Sequence, residues 1–434
     1  MNLFETYKQK LKKENEKRIF HFSLFTFHLR SVIIFSFSLF TFHFSSAQQL
    51  ETFIEEALEN NPVIQKFELQ YKIAKEKVKE VQAIPNTEFG VGYFLSEPET
   101  RTGAQRFKLS AKQMIPWFGT ITSRENYVSS LAAATYEEIV IAKGQLITTV
   151  SQSYYNLYAN KATQDVVVET INLLETYETL ALTAVEVDKA SAVDVLRLQM
   201  RQNELEELQQ VLIQQYLAEQ TNFNNLLNRE DKVPVTVDTK LSIPSEAVEI
   251  TPENLAVHPE LLQFEKRYIA IQKSELLNQK ESNPMIGFGL DYINVEARSA
   301  MNFSDNGKDI IMPMVAVSIP IFNKTYKSKT KQNTLQQQEI LSQKQERLNK
   351  LETLLDKAIK DRISSKISFN TQVKNLEQAK NAEEILIKSY ETGRIDFNDV
   401  LDIQELQLKF QMKQIEAVKT YYMQTTQINY LTQQ

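Results

Sequence analysis

Two hydrophobic periodicities alternate along the chain. Short stretches repeat every second residue. In the first, Phe89, Val91, Tyr93 and Leu95 point one way and Glu88, Gly90 and Gly92 the other. Its partner sets Phe107, Leu109, Ala111 and Ile115 against Arg106, Lys108, Ser110 and Lys112. Later, Ile286, Phe288, Leu290 and Tyr292 oppose Gly287, Gly289 and Asp291, and Ile311, Val315, Val317 and Ile319 oppose Ala316 and Ser318. This alternation predicts strands at about 86–95, 104–115, 285–293 and 309–319. Apolar residues on one face, with polar residues or glycine on the other, suit a tilted strand in a lipid-embedded barrel. A half-buried soluble hairpin has the same pattern.

The longer periodicity is helical. No proline occurs from Trp117 to Val233 or from Ile321 to Gln434, and the only glycines there are Gly119, Gly144 and Gly393. Each stretch predicts one long helix, a break and a second helix: about 120–187 and 192–228, then 324–391 and 396–430. At about 1.5 Å per residue, the longer of each pair would span roughly 100 Å. Heptad-like spacing runs through Leu351, Leu355, Ala358, Arg362, Ser365, Gln372 and Ala379. Its polar members exclude a tight two-stranded zipper. The first long helix shows two seams, one through Ile139, Ala142 and Leu146 and one through Val140, Ile147 and Val150, as a helix with neighbours on both sides would.

These patterns occur twice. Asn61-Pro62 with Phe67, Glu68 and Tyr71 matches His258-Pro259 with Phe264, Glu265 and Tyr268 at an offset of 197. Ile115-Pro116-Trp117-Phe118 matches Ile319-Pro320-Ile321-Phe322, and Asp194-Val195-Leu196 with Gln199 matches Asp399-Val400-Leu401 with Gln404. The repeats are placed at 48–243 and 244–434, joined by the Pro-rich stretch around Pro234, Pro244, Pro252 and Pro259. Each opens with a helix, Gln49 to about Ala83 and Pro252 to about Ser282. A two-stranded hairpin and a long helical pair follow. His258 reads as a turn residue.

Composition narrows the function. Among 434 residues there is no Cys, and three of the 4 His lie before residue 48. A thiol nucleophile is therefore excluded, and with His258 alone beyond residue 47 a multi-His metal centre or a His-based triad nearly is, so neither catalysis, a metal nor a cofactor is expected. Residues 1–18 carry six positive charges, a Phe-rich stretch follows, and Ser45-Ser46-Ala47 ends it. That order describes a signal peptide over 1–47; an N-terminal membrane anchor is the other reading, against which Arg30 and the Ser, Thr and His content argue. Residues 1–47 hold 7 Lys/Arg and 3 Asp/Glu, leaving 42 and 52, a net charge of −10. An acidic exported chain offers nucleic acid no electrostatic footprint. No apolar run of 18 residues follows Ala47, so contact with outer-membrane lipid would have to be made by strands. Four strands cannot close a barrel in lipid, where the smallest have eight. Several protomers must share one. Three would give twelve strands on a wall of twelve helical segments, and four would also close.

The doubled order of helix, hairpin and long helical pair resembles the TolC family of outer-membrane efflux channels. So do the Ile-Pro-Trp-Phe-Gly segment at 115–119 and the stretch from Tyr390 to Asp402, where a Gly-containing turn precedes Asp-Val-Leu-Asp. The resemblance implies a mainly α chain with a membrane β-barrel, assembled as a homotrimer with a 12-stranded barrel on an α-helical barrel. It implies a passive duct in the outer membrane with a periplasmic tunnel, docked to a periplasmic adaptor (a membrane fusion protein) and an inner-membrane efflux pump. Asp399 and Asp402, three residues apart at a helix start, match the family's paired aspartates at the periplasmic entrance. Arg394 is a candidate partner in holding that gate closed. Macrodipole stabilisation at the helix N-terminus is the simpler reading of both aspartates. The turns at Lys189, Ala190 and Gly393 are expected to meet the adaptor. Trp117, Phe118, Phe322 and Tyr326, just past the strand ends, suit an aromatic girdle at the headgroups. The competing class is a secreted coiled-coil scaffold or adhesion protein without a pore. It explains the helices and the acidity but not the strand pairs.

Overall fold

The structure, a computed structural model, describes residues 46–187, 191–244, 252–300, 302–392, 394, 395 and 397–433. Nearly all of the signal segment 1–47, and the turn residues Lys189, Ala190 and Gly393, lie outside the described residues. The chain divides into a unit of residues 1–51 and one of residues 52–434. In the first, only the start of helix α1 is described.

Helices α1 (Ser46–Asn60) and α2 (Pro62–Glu80) precede strands β1 (Glu88–Tyr93), β2 (Glu99–Thr100) and β3 (Gly103–Ile115). Helices α3 (Thr120–Glu186) and α4 (Ala192–Leu226) complete this half. A 3-10 turn at Pro252–Val257 leads to α5 (Pro259–Glu281), β4 (Met285–Glu296), β5 (Ile310–Ser318), α6 (Thr325–Glu391) and α7 (Asn398–Thr432). The chain is thus mainly helical, with two rounds of helix, hairpin and long helical pair. Among the described residues, no helix is long and apolar enough to cross a membrane.

The opening helix of each half is broken where sequence periodicity predicts continuity. Proline has no N–H and forces the residue before it out of helical geometry. Asn61 and His258 both take extended ψ, 125° and 133°. Each caps the helix beginning at the next residue. Asn61 Oδ1 accepts from the Val63 N–H at 2.8 Å, and His258 Nδ1 from the Glu260 N–H at 3.3 Å.

The long helices explain their own composition. α3 packs against α2, α4, α5 and α7, and α6 against α5 and α7. A helix with many neighbours buries residues around its circumference, and α3 buries Val150, Ser151, Ser153, Tyr154, Tyr155 and Leu157 within two turns. α6 instead buries one stripe, Leu351, Leu355, Ala358, Arg362, Ser365, Gln372 and Ala379, besides Asn333. These are the heptad-spaced positions. Gly144 marks a close crossing of the two halves: a Cβ there would meet the Tyr430 ring of α7 at 2.7 Å. Tyr430 donates from its hydroxyl to Glu260, 3.0 Å away, and Glu260 is ion-paired with Arg347.

The strands form a single antiparallel sheet in the order β1-β3-β4-β5, with β2 attached to β3. The two hairpins are therefore joined through β3 and β4, which pair from Ala104↔Glu296 to Ile115↔Ile286. β4 extends to Glu296, so the β4–β5 loop is shorter than the alternation suggests, while β1 ends at Tyr93 and the short β2 forms within the β1–β3 connection.

Candidate functional site

The sheet and the far end of the long helices are the two regions with functional content. α3 starts at Thr120, a few residues after β3, and its 67 residues place its other end about 100 Å away.

Register sorts the sheet's side chains into two faces. Directly opposed residues share a face, and the rows Val91–Leu109–Tyr292–Ile311, Phe89–Ala111–Leu290–Pro313 and Ile115–Ile286–Val317 line one side. This apolar face is uncovered: Phe89 and Val91 are each 81% exposed, and Val315 is 72% exposed. The opposite face carries Gly92–Lys108–Ile293, Gly90–Ser110–Asp291–Met312 and Glu88–Lys112–Gly289–Met314. There Lys108 forms an ion pair with the wholly buried Asp291. Arg106 sits at a bulge between Gln105 and Phe107 and pairs with Glu296 and Glu97. β1 and β5 have no partner on their outer edges among the described residues. Beyond the strand ends, Phe118 (79%) and Phe322 (96%) are exposed. Trp117 stacks edge-on to Phe118 at 5.9 Å, and half-buried Tyr326 begins α6.

At the far end, α3 and α4 approach α6 and α7 around an apolar cluster that includes Leu174, Tyr177, Ala181, Leu198, Phe397 and Val400. Phe397, just before α7, stacks edge-on to Tyr390 at 4.8 Å and Tyr177 at 5.9 Å. Asp399 and Asp402 stand exposed on the first turns of α7, and Arg394 is exposed before it. Among the described residues no ion pair joins Arg394 to either aspartate within one protomer. The equivalent residue in the first half behaves differently. Asp194 is buried and forms a capping box with Ser191 at the start of α4. No side chain caps α7.

Sequence reasoning missed a carboxylate clamp present in both halves. Glu178 accepts from the side-chain amides of Gln199 (2.7 Å) and Gln202 (3.1 Å). Glu383 accepts from Gln404 and from Gln407 (2.7 Å). All three pairs are related by an offset of 205, so the sequence contains the signal, but only the Gln199/Gln404 pair is noticeable without knowing which helix faces are shared. Glu383 gains a third donor from the other half, the Tyr177 hydroxyl. Burial and the Glu383 carboxylate both push the Tyr177 pKa upward, so the phenol stays a donor.

No protein-family model matches the chain, and no curated protein does. Solved structures do. The chain superposes on CusC, a protein studied for transmembrane channel formation, with a TM-score of 0.73 at 15% identity, covering 89% of this chain and 92% of that one. The outer membrane protein VceC of Vibrio cholerae gives 0.69 at 16% identity, with 88% and 96% covered. The open-state outer membrane channel MtrE of Neisseria gonorrhoeae gives 0.71 at 15% identity, with 88% of each covered. At such identities the likeness is one of fold, and it extends over nearly the whole described chain. This chain has the fold of the TolC-family outer-membrane efflux channels.

Proposed function

We propose that the chain is the outer-membrane exit duct of a tripartite efflux system, a passive channel and not an enzyme. One observation carries this reading. The sheet, whose four long strands run in the order β1-β3-β4-β5, presents an exposed apolar face and two edges open among the described residues. Unpaired backbone groups cannot remain in lipid, so β5 of one protomer must pair with β1 of the next until the ring closes. A homotrimer closes it with twelve strands. Matching stripes on the helices support assembly: Val193, Leu196, Met200 and Val211 lie exposed along one face of α4, and Leu335, Ile363, Ile367 and Ile385 along one face of α6.

In this assembly the apolar sheet face meets lipid, with Trp117, Phe118, Phe322 and Tyr326 at the headgroups. The helices enclose a periplasmic tunnel. Asp399 and Asp402 line its entrance, where threefold symmetry gathers six carboxylates, and Arg394 of one protomer reaches an aspartate of its neighbour. The turns at Lys189, Ala190 and Gly393 meet the periplasmic adaptor, through which the inner-membrane pump delivers substrate. Residues 1–47 are removed on export, and the repeats occupy 48–243 and 244–434.

Expression of the full chain in a Gram-negative host tests this. The expected result is fractionation with outer membranes, an oligomeric band in detergent that dissociates on boiling, and ion conductance in planar bilayers. A soluble, non-conducting periplasmic product would instead indicate the coiled-coil scaffold.

A further inference from the structure

Charges on the polar face of the sheet come in matched signs. Between the bulge at Gln105/Phe107 and the helices, that face carries Glu88, Lys108, Lys112 and Asp291. β5 adds no charge to it, because Ile310, Met312, Met314, Ala316 and Ser318 occupy its positions there. These four charges sum to zero. Lys112 stands directly opposite Glu88. Lys108, directly opposite Ile293, is ion-paired with its diagonal neighbour Asp291. At the bulge, Arg106 is held by Glu97 and Glu296.

The two members of the Lys108–Asp291 pair are unequal. The Asp291 side chain is wholly buried, while that of Lys108 is 37% exposed. Neither Asp291 oxygen has a hydrogen-bond partner among the described residues, so the Lys108 ammonium is what compensates it. Ser110, directly opposite Asp291 on β3, donates instead to the Gly90 carbonyl at 3.3 Å. A carboxylate this buried does not meet a passing ion; it acts through the lysine it holds. Removing it leaves an ammonium on a flexible stem that can swing into water, whereas removing the lysine strands a buried charge.

We propose that Asp291 is a specificity-determining residue of the duct: by cancelling the charge of Lys108 it keeps the barrel lumen free of net fixed charge, so that cargo of either sign passes. Rings of Lys or Arg in a pore favour anions, and rings of Asp or Glu favour cations. Without Asp291, a twelve-stranded ring of three protomers would carry three unmatched lysines. Its wall lies about 12 Å from the axis at the usual strand spacing and tilt. That is close to the ~10 Å screening length at about 0.1 M salt, so charges on the wall act across the whole lumen. The selectivity role rests on the proposed channel function. The ion pair does not, because both residues belong to one protomer's sheet.

The test is the reversal potential of the purified full chain in planar bilayers, under a potassium chloride gradient from about 100 to about 10 mM, where screening lengths run from ~10 to ~30 Å. Every chain carries Asp399→Ala and Asp402→Ala, so that the far end of the tunnel, about 100 Å away, does not dominate the reading. Adding the isosteric Asp291→Asn is expected to lower the cation-to-anion permeability ratio about threefold or more. Adding Lys108→Gln together with Asp291→Asn is expected to restore it. An unchanged ratio in Asp291→Asn, or a shift that persists in the double variant, overturns the proposal. Correctly folded variants share one boil-sensitive oligomer band. A second readout needs no conduction. Acylation of the detergent-purified chain by a water-soluble amine reagent, read by mass spectrometry, is expected to label Lys108 about fivefold faster in Asp291→Asn, with Lys112 as an unchanged reference. Equal rates overturn the masking of Lys108. If the reference chain does not conduct, the channel reading fails and takes the selectivity role with it, while the labelling still decides the ion pair.

Discussion

Removing one oxygen atom tests whether the far end of the helices is held as described. Tyr177→Phe deletes the hydroxyl that donates to Glu383, while the ring stays against Phe397, 5.9 Å away. Glu383 keeps Gln404 and Gln407 as donors, so its charge is not stranded. The loss is therefore at the lower end of the range for a hydrogen bond to a charged group, about 1.5 kcal/mol. The hydroxyl, which also accepts from the Gln404 side-chain amide at 3.4 Å, links α3 to the clamp between α6 and α7, so the energy falls on local opening of the α6–α7 end. Amide exchange in the first turns of α7 should then accelerate roughly tenfold if it proceeds through that opening. Peptide-resolved hydrogen–deuterium exchange measures it, with peptides from α5 as an internal reference. The same substitution in a Glu383→Gln background should have a much smaller effect, because a neutral acceptor makes a weaker bond. An acceleration below about threefold, or an equal effect in both backgrounds, would show that the link does not hold the tip.

Three further outcomes follow from particular residues. Burial holds the His258 imidazole below its ordinary pKa, with Glu260 pulling it part of the way back. The unfolded chain therefore takes up the proton first, and His258's contribution to stability is whole above about pH 6.5 and declines as pH falls below it. His258→Asn, copying the cap at Asn61, should flatten that part of the melting temperature's dependence on pH between 7.5 and 5. Gly144→Ala puts a Cβ 2.7 Å from the Tyr430 ring. It should cost about 1–3 kcal/mol, read as a lower urea midpoint, because α3 and α7 must separate to accept it. Asp399→Ala with Asp402→Ala should weaken cation block of single channels on the order of tenfold, about 1.4 kcal/mol; unchanged block and conductance would remove these residues from the gate.

The sequence by itself determined the long elements and their order, though not the breaks at Asn61 and His258 or the short strand β2. Period-two runs place strands and prolines end helices, and these depend only on local backbone geometry. The duplication was legible for the same reason, since each half repeats the same local problem. Residue chemistry also excluded thiol nucleophiles, thiolate metal sites and multi-His metal centres, because there is no Cys and one His beyond residue 47.

Contacts between the halves required the tertiary structure, because no local periodicity encodes them. The pairing of β3 with β4 turns two hairpins into one sheet with two open edges. The same distance in sequence hides the ring of Tyr430 against Gly144 and the Tyr177–Glu383 link, which spans 206 residues. The aspartates diverge too. The DVL motif reads alike at Asp194 and Asp399, yet one is buried in a capping box while the other faces solvent. Ser191, extended before α4, supplies a side-chain cap, whereas Phe397 before α7 supplies none.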